Sequence, residues 1–289
     1  MTGEQAQPRQ RTIKMVIAYD GTDFCGWQRQ PGRRTVQDEI EQVLRRVVNH
    51  PLTIHGAGRT DSGVHAAGQV AHVVTTSPIP VANLFKAVGS RLPKDISLTR
   101  LTEVPDPFHA TQSAVSKLYR YRIWNDRSKP VEHLLQRYTY HYWRPIDIAR
   151  MQEAARYFVG HKDFSAMAST GGAPRRTTWR TVMRCDVYRH YREIRVDVEG
   201  SGFLYNMVRN IVGTLIEIGR GRWEPSRVVD ILESRDRHNA GPTVPAHGLC
   251  MQWVKYVPGL WRPHPKERGD EFIDEPENGN AQADRQPGK

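Results

Sequence analysis

"HGAGRTDSGVHAAGQVAHV", residues 55–73, joins a glycine-rich loop to an alternating apolar run. The backbone of this loop can turn sharply and approach another molecule closely at Gly56, Gly58 and Gly63. Arg59 and Asp61 are therefore presented on a tight loop directly before a segment with the two-residue period of a strand. The stretch predicts a strand, a loop that offers a carboxylate beside a guanidinium, and a second strand.

The elements around this loop follow the order strand, helix, strand, strand, helix, strand. Apolar residues alternate in the first strand, and an apolar stripe follows Thr35, which can cap the first helix. The predicted elements are a strand over 12–20, a helix over 35–50, strands over 52–58 and 68–76, a helix over 81–92 and a strand over 96–104.

The second half repeats this order without repeating the sequence. Its predicted elements are a strand over 117–125, a helix over 147–159, a hairpin over 178–200, a helix over 203–219 and a strand over 248–256. A further helix over 224–234 lies outside the plan. The order is typical of the ferredoxin-like, split βαβ arrangement.

The predicted fold class is α+β, with two ferredoxin-like (βαββαβ, RRM-like) units. Their sheets are expected to join into a larger, mostly antiparallel sheet that has helices on one face. The other face is expected to be free for binding, with an active-site cleft between the units. The predicted divisions are a disordered N-terminus over 1–10, an N-terminal α+β domain with the Asp61 loop over 11–112, a C-terminal α+β domain over 113–260 and a disordered charged tail over 261–289.

The charge balance favours a polyanionic partner. The chain carries 42 Lys plus Arg against 31 Asp plus Glu, a net charge of +11. Its three cysteines lie far apart and form no CxxC pair, which argues against a disulfide framework or a zinc knuckle. No stretch has the length of a signal peptide or of a membrane span. These features predict a cytoplasmic protein that binds nucleic acid and no membrane.

Several common chemistries are absent from the sequence. Asp61 stands where a dinucleotide fingerprint needs its third glycine, and it would repel a pyrophosphate. The chain has no GxxxxGK[ST] loop and no GxSxG elbow. The spacing of the nearby histidines matches no metal pattern, so packing or surface roles are expected for His55, His65 and His72. No metal site is predicted.

The remaining candidates each have two interpretations. Asp61 either bonds its own turn or is offered to a substrate. Tyr119 and Tyr121 share one face of a strand, where they either belong to the core or stack bases. Arg209 is an isolated cation on a mostly apolar helix, and it is either solvated or paired with a buried carboxylate. Arg59 either contacts a phosphate or lies on the surface.

The sequence resembles the TruA family of tRNA pseudouridine synthases through motifs that run in order over nearly all of residues 12–257. Ser62 departs from the alanine that the family pattern has after the aspartate. The motifs are "YDGTDFCGWQRQ" (19–30), "TVQDEIE" (35–41), "AGRTDSGVHAAGQVAHV" (57–73), "FHA" (108–110), "KLYRYRIWN" (117–125), "FLYNMVRNIVGTL" (203–215) and "AGPTVPAHGL" (240–249).

The resemblance implies an isomerase that converts uridine to pseudouridine at positions 38, 39 and 40 in the anticodon stem and loop of tRNA, without cofactor or metal. Asp61 matches the catalytic aspartate, which either attacks a carbon or removes a ribose proton. Arg209 matches the arginine that pairs with this carboxylate. Tyr119 matches the tyrosine that stacks on the target base, and Arg59 is placed to fill the space of the flipped base. Tyr121 is assigned a structural role.

The resemblance also implies a homodimer that binds the tRNA anticodon arm. Candidates for phosphate contacts are Arg33, Arg34, Arg175, Arg176, Arg180, Arg220 and Arg222. Two alternatives stay open at this stage. One is a pseudouridine synthase of the same family that acts on other tRNA or RNA uridines, and the other is an RNA-binding module without catalysis.

Overall fold

The computed structural model of the chain describes residues 9–129, 133–171, 177–257 and 259. The strands are β1 (Arg11–Tyr19), β2 (His55–Gly56), β3 (His65–Thr75), β4 (Ile96–Val104), β5 (Ala114–Trp124), β6 (Tyr140–His141), β7 (Gly160–Asp163), β8 (Trp179–His190), β9 (Glu193–Gly200) and β10 (Leu249–Tyr256). The helices are α1 (Val36–Val48), α2 (Val81–Gly89), α3 (His133–Gln136), α4 (Ile148–Arg156), α5 (Met207–Gly219) and α6 (Arg227–Ser234).

These strands form one sheet in the order β4-β1-β3-β10-β5-β9-β8-β7, with β2 paired to β3 and β6 paired to β5. In the first half, β4 and β3 lie on either side of β1, and β2 pairs with β3. In the second half, β10 and β9 lie on either side of β5, and β8 pairs with β9. Both arrangements are those of a ferredoxin-like unit. The halves meet through a short parallel pairing of β3 with β10, while the other main pairings are antiparallel. The predicted fold class of two joined units is confirmed.

The helices cover one face of this sheet. Apolar residues of α1, α2, α4, α5 and α6 belong to the same buried cluster as Met15 of β1 and Tyr121 of β5. A smaller apolar cluster around Phe108 and Val70 is separate from it. On β5, Arg120 and Arg122 alternate with Tyr119 and Tyr121 and therefore point away from the helices. The main core thus lies between the sheet and its helices.

The helix α1 begins as its sequence predicts. The Thr35 hydroxyl accepts a hydrogen bond from the Asp38 amide at 3.4 Å, which satisfies one of the free donors of the first turn. The apolar stripe of α1 is buried at Val36, Ile40, Val43 and Leu44. A capping residue and a stripe with helical spacing are therefore enough to place this helix.

Several predicted elements are shorter than expected, among them the helices predicted over 81–92 and 147–159, which end at Gly89 and Arg156. Two others have a clear structural reason. The strand predicted over 52–58 is confined to His55–Gly56, because the chain then leaves the sheet to form the loop that carries Asp61. The helix predicted over 203–219 begins at Met207, because Asn206 has a left-handed backbone with φ of 59°. That conformation is tolerated by asparagine and cannot continue a helix.

The predicted disorder of 1–10 and 261–289 concerns residues that, apart from 9 and 10, lie outside the described part of the chain. Within the described part, no helix has both the length and the apolar content that crossing a membrane requires.

Candidate active site

Asp61 lies in the loop over residues 57–64, which is fastened to the segment that follows β1. The Trp27 amide donates to the Thr60 carbonyl at 3.0 Å, and the Tyr19 and Thr60 hydroxyls are 2.7 Å apart. Both hydroxyls are buried, so this bond is shielded from competition by water. The neighbours of Asp61 on the loop are therefore held by main-chain and side-chain bonds.

Two glycines make this fastening possible. Gly26 has φ of 85°, and an added Cβ there would lie 2.7 Å from the Thr60 carbonyl oxygen. An added Cβ at Gly21 would lie 2.0 Å from the Val64 carbonyl oxygen. The backbone of residues 20–28 thus contacts the loop more closely than any side chain allows. This contact gives a physical reason for glycines in "YDGTDFCGWQRQ".

Arg209 projects from the first turn of α5 toward the loop. Its Nε donates to the Val244 carbonyl at 2.7 Å, and its Nη1 donates to the Asn206 amide oxygen at 2.8 Å. Nη1 lies 4.0 Å from Asp61 Oδ2, with the side chains 17% and 24% exposed. The pair is thus partly buried, and its N···O separation exceeds that of a direct hydrogen bond. The guanidinium is oriented by neutral groups rather than by the carboxylate.

The segment 240–245, which supplies the Val244 carbonyl, packs directly on α5. An added Cβ at Gly213 would lie 1.8 Å from the Pro242 carbonyl oxygen. The Gly241 amide donates to the Thr214 hydroxyl at 3.0 Å. The buried side chain of Asn210 ties the two parts together, because its Oδ1 accepts from the Thr243 hydroxyl at 2.6 Å.

Tyr119 lies on β5, where the charge of Asp61 acts on it. Its ring is 7% exposed and meets the Phe203 ring edge to face, with 5.2 Å between ring centroids. Burial is the main cause that raises the pKa of the Tyr119 phenol well above its ordinary value, and the negative charge of Asp61 adds to it. The phenol is therefore neutral at neutral pH. Tyr121 donates its hydroxyl hydrogen to the Pro245 carbonyl at 2.8 Å and lies in the core.

The structure thus brings Asp61, Arg209 and Tyr119 together where the two units join. Arg59 is exposed on the same loop. The group lies on the face of the sheet that carries the helices, since Tyr119 shares the buried cluster of α5. The expectation that binding uses the face without helices stays a prediction, although these three residues lie on the other face.

The arginines predicted as phosphate contacts differ in their partners. Arg34 is paired with Glu39 and Asp95, at 2.8 and 2.7 Å. Arg220 and Arg222 share Glu217. Arg180 lies near β5, where its charge acts on Lys117, and Arg33 is exposed. Arg175 and Arg176 lie outside the described residues. Internal ion pairs make Arg34, Arg220 and Arg222 poorer phosphate ligands than the exposed Arg33.

The histidines near the loop have packing roles. His65 accepts a hydrogen bond from the Gly21 amide at 3.0 Å, and its other nitrogen lies 3.2 Å from the His247 carbonyl oxygen. Burial lowers the pKa of His65 below its ordinary value. His55 stacks on His72, with ring centroids 5.2 Å apart. Among the residues that the structure describes, no group of His, Cys, Asp and Glu is arranged to hold a metal ion.

Sequence reasoning missed the residues that position this group. Thr60 and Tyr19 hold the loop, Asn206 and the Val244 carbonyl hold Arg209, and Lys117 lies beside Gly58 on the loop. The only signal for Lys117 was its place two residues before Tyr119 on one strand face. The remaining positioning residues act through backbone groups or local conformation, which cannot be recognised from the residue types.

Comparison with known proteins places the chain in a family. The family described as tRNA pseudouridine synthase matches residues 15–111 and 154–257. The tRNA pseudouridine synthase A 2 of Clostridium perfringens is 42% identical over 246 residues, which cover 85% of this chain and 100% of that protein. The chain belongs to the tRNA pseudouridine synthase family. The resemblance drawn from the motifs is thereby confirmed.

Other members of the synthase family match over similar lengths. The tRNA pseudouridine synthase A of Syntrophotalea carbinolica is 44% identical, over 85% of this chain and 96% of that protein. The Salmonella paratyphi B protein of the same name is 40% identical, over 92% and 97%. The solved archaeal box H/ACA sRNP Nop10-Cbf5 complex matches 79% of this chain and 60% of that chain, with 12% identity and a TM-score of 0.31, too weak a likeness to support an argument.

We predict that Gly213→Ala lowers the free energy of unfolding and the activity together. The new methyl group would collide with the Pro242 carbonyl oxygen, so the segment that holds Arg209 must shift. Overpacking of this kind costs about 1–3 kcal/mol, which outweighs the gain in helix propensity of at most ~1 kcal/mol. Chemical unfolding and pseudouridine formation measure the two effects.

Gly89→Ala is the matched control, because Gly89 ends α2 and has open space around its Cβ position. It should leave both quantities unchanged or raise stability slightly. Equal stabilities of Gly213→Ala and the wild type would contradict the contact between α5 and the segment 240–245.

Proposed function

We propose that this member of the family isomerises uridine to pseudouridine at positions 38, 39 and 40 in the anticodon stem and loop of tRNA. The convergence of Asp61, Arg209 and Tyr119 at the junction of the two units is the observation that carries the proposal. A carboxylate, a cation and an aromatic ring suit a reaction at the bond between a base and its ribose. The net charge of +11 suits an RNA substrate.

The reaction needs no oxidant or reductant. The bond between N1 of uracil and C1′ of ribose breaks, the base turns while it stays bound, and C5 forms the new bond to C1′. C5 loses a proton and N1 gains one, so atoms and charge balance. We therefore propose catalysis by the side chains alone, with neither cofactor nor metal, in a site that keeps water from the detached base.

Asp61 is proposed as the catalytic carboxylate. As a nucleophile it attacks a carbon atom, and as a base it removes a ribose proton; both roles need the ionised form. The nearby guanidinium of Arg209 favours that form, because an opposite charge lowers the free energy of the carboxylate. At 4.0 Å the guanidinium is close enough to stabilise the negative charge of the carboxylate.

Tyr119 is proposed to stack on the target base. Its neutral phenol is a weak base, so its hydroxyl can accept a proton from C5 only if it passes its own proton on. The exposed Arg59 is proposed to occupy the space that the base leaves when it flips out of the stem, a step that costs a few kcal/mol. We also propose that the protein is a homodimer in the cytoplasm.

The central prediction is that Asp61→Asn forms no detectable pseudouridine and binds tRNA with nearly wild-type affinity. The amide keeps the size of the side chain and removes the charge that the reaction needs. Product is measured by mapping pseudouridine in unmodified tRNA, and affinity is measured by filter binding. Mapping also reports which uridines react, so product only at other positions would contradict the assignment to 38–40.

Asp230→Asn serves as the control, because Asp230 lies exposed on α6 and forms an ion pair only with Arg227 among the described residues. Its turnover should equal that of the wild type. Appreciable turnover by Asp61→Asn would remove Asp61 from the reaction. A wild-type protein that binds tRNA and forms no product would instead favour the RNA-binding module.

We further predict that Arg209→Met reduces turnover on the order of 10²-fold with a smaller effect on unfolding, because the carboxylate loses its nearby cation. Arg227→Met, which removes an exposed cation from α6, should have no effect on turnover. Single-turnover kinetics and thermal unfolding are compared for both variants. Wild-type turnover by Arg209→Met would exclude Arg209 from the site.

A further inference from the structure

Lys117 is a buried cation beside the proposed active site. It lies on β5 two residues before Tyr119, so the two side chains share one face of the strand. The residue is 8% exposed. An added Cβ at Gly58 would lie 3.5 Å from the Lys117 Nζ, which places the ammonium against the loop that carries Asp61.

The ammonium has no partner of opposite charge within the described part of the chain. It makes neither a hydrogen bond nor an ion pair with any of those residues, and the charged group that acts on it is Arg180. Burial is the main cause that lowers the pKa of Lys117 to about 8, and the repulsion by Arg180 adds to it. At neutral pH the side chain is still mostly charged.

The other two cations of β5 near Tyr119 are paired with carboxylates. On the opposite face, Arg120 donates two hydrogen bonds of 2.7 Å to Asp197. Arg122 pairs with Glu193. Both arginines are thus paired with carboxylates on β9. Lys117 is more deeply buried and has no carboxylate partner among the described residues. A lone buried charge is unfavourable, so its retention beside a substrate site calls for an anion that arrives with the substrate.

The charge of Lys117 decides which part of an RNA fits. A uracil carbonyl is neutral and could satisfy one ammonium hydrogen, but it would leave the charge of Lys117 without a counter-charge. A phosphodiester carries a full negative charge and offers two unbridged oxygens, so it can neutralise the ammonium and accept its hydrogen bonds. The geometry and the charge therefore favour phosphate.

We propose that Lys117 binds a backbone phosphate that flanks the target nucleotide. This inference rests on the function proposed above, because the position of the phosphate is defined by a base stacked on Tyr119 and a ribose at Asp61. Lys117 is then a substrate-binding residue that fixes how far the flipped nucleotide enters the site. Removal of its charge should weaken RNA binding by roughly 10- to 100-fold.

The test combines a protein change with a substrate change. Full-length tRNA is assembled with one uridine among positions 38–40, and either phosphate next to it is replaced by an uncharged methylphosphonate. Affinity and single-turnover rate are measured at constant salt for the wild type, Lys117→Met and Lys117→Arg. For the wild type, one of the two methylphosphonates should weaken binding by about tenfold or more.

Lys117→Met should bind unmodified tRNA as weakly as the wild type binds that methylphosphonate tRNA, and the two changes together should cost no more than either alone. Lys117→Arg keeps the charge and should retain the sensitivity to the methylphosphonate. Lys14→Met is the matched control: Lys14 is a strand lysine whose ammonium lies over the Tyr256 ring, and it should keep wild-type affinity and sensitivity.

Two results would overturn the assignment. One is unchanged affinity of Lys117→Met, and the other is a loss that simply adds to that of each methylphosphonate, which would place the ammonium on the base or on no substrate group. Wild-type product on unmodified tRNA is measured in the same series. Its absence refutes the proposed function, whereas product together with either result above refutes only the role of Lys117. If Lys117→Met fails to fold, Lys117→Gln replaces it.

Discussion

The short parallel pairing of β3 with β10 is the constraint on which the site depends. It consists of the pairs Cys250 with His65 and Met251 with Ala66, and it is the only ladder between the two units in the described sheet order. β3 begins four residues after Asp61, and Met251 is paired with Tyr119 on its other side. One junction therefore sets the carboxylate loop of one unit over the central strand of the other.

Close backbone contact maintains this junction and the groups around it. An added Cβ at Gly68 would lie 2.4 Å from the Gln252 carbonyl oxygen, so the first residues of β3 approach β10 without an intervening side chain. Gly21 and Gly26 have the same function where the loop meets residues 20–28, and Gly213 has it where the segment 240–245 meets α5. Rigid elements in direct contact hold a site more precisely than long side chains do.

The cations on the two faces of the sheet have different partners. On the face without helices, Asp197 of β9 pairs with Arg120, and Glu193 of β9 is shared by Arg122 and Arg195. On the helical face, Arg209 is oriented by neutral acceptors at 4.0 Å from Asp61, and Lys117 has no carboxylate partner among the described residues. A cation without a counter-charge attracts a polyanion, which is the electrostatic basis of the phosphate contact proposed for Lys117.

The sequence by itself determined the elements whose signals are local, such as the capped and striped helix α1, the alternating strand β1 and the hairpin β8–β9. Motifs were enough to propose Asp61, Tyr119 and Arg209, because few residue types suit that chemistry. Only the tertiary structure decided that they meet on the helical face and that α5 begins after Asn206. It also decided that Lys117 is buried without a counter-charge among the described residues. These features depend on contacts between residues far apart in the chain, and periodicity carries no information about such contacts.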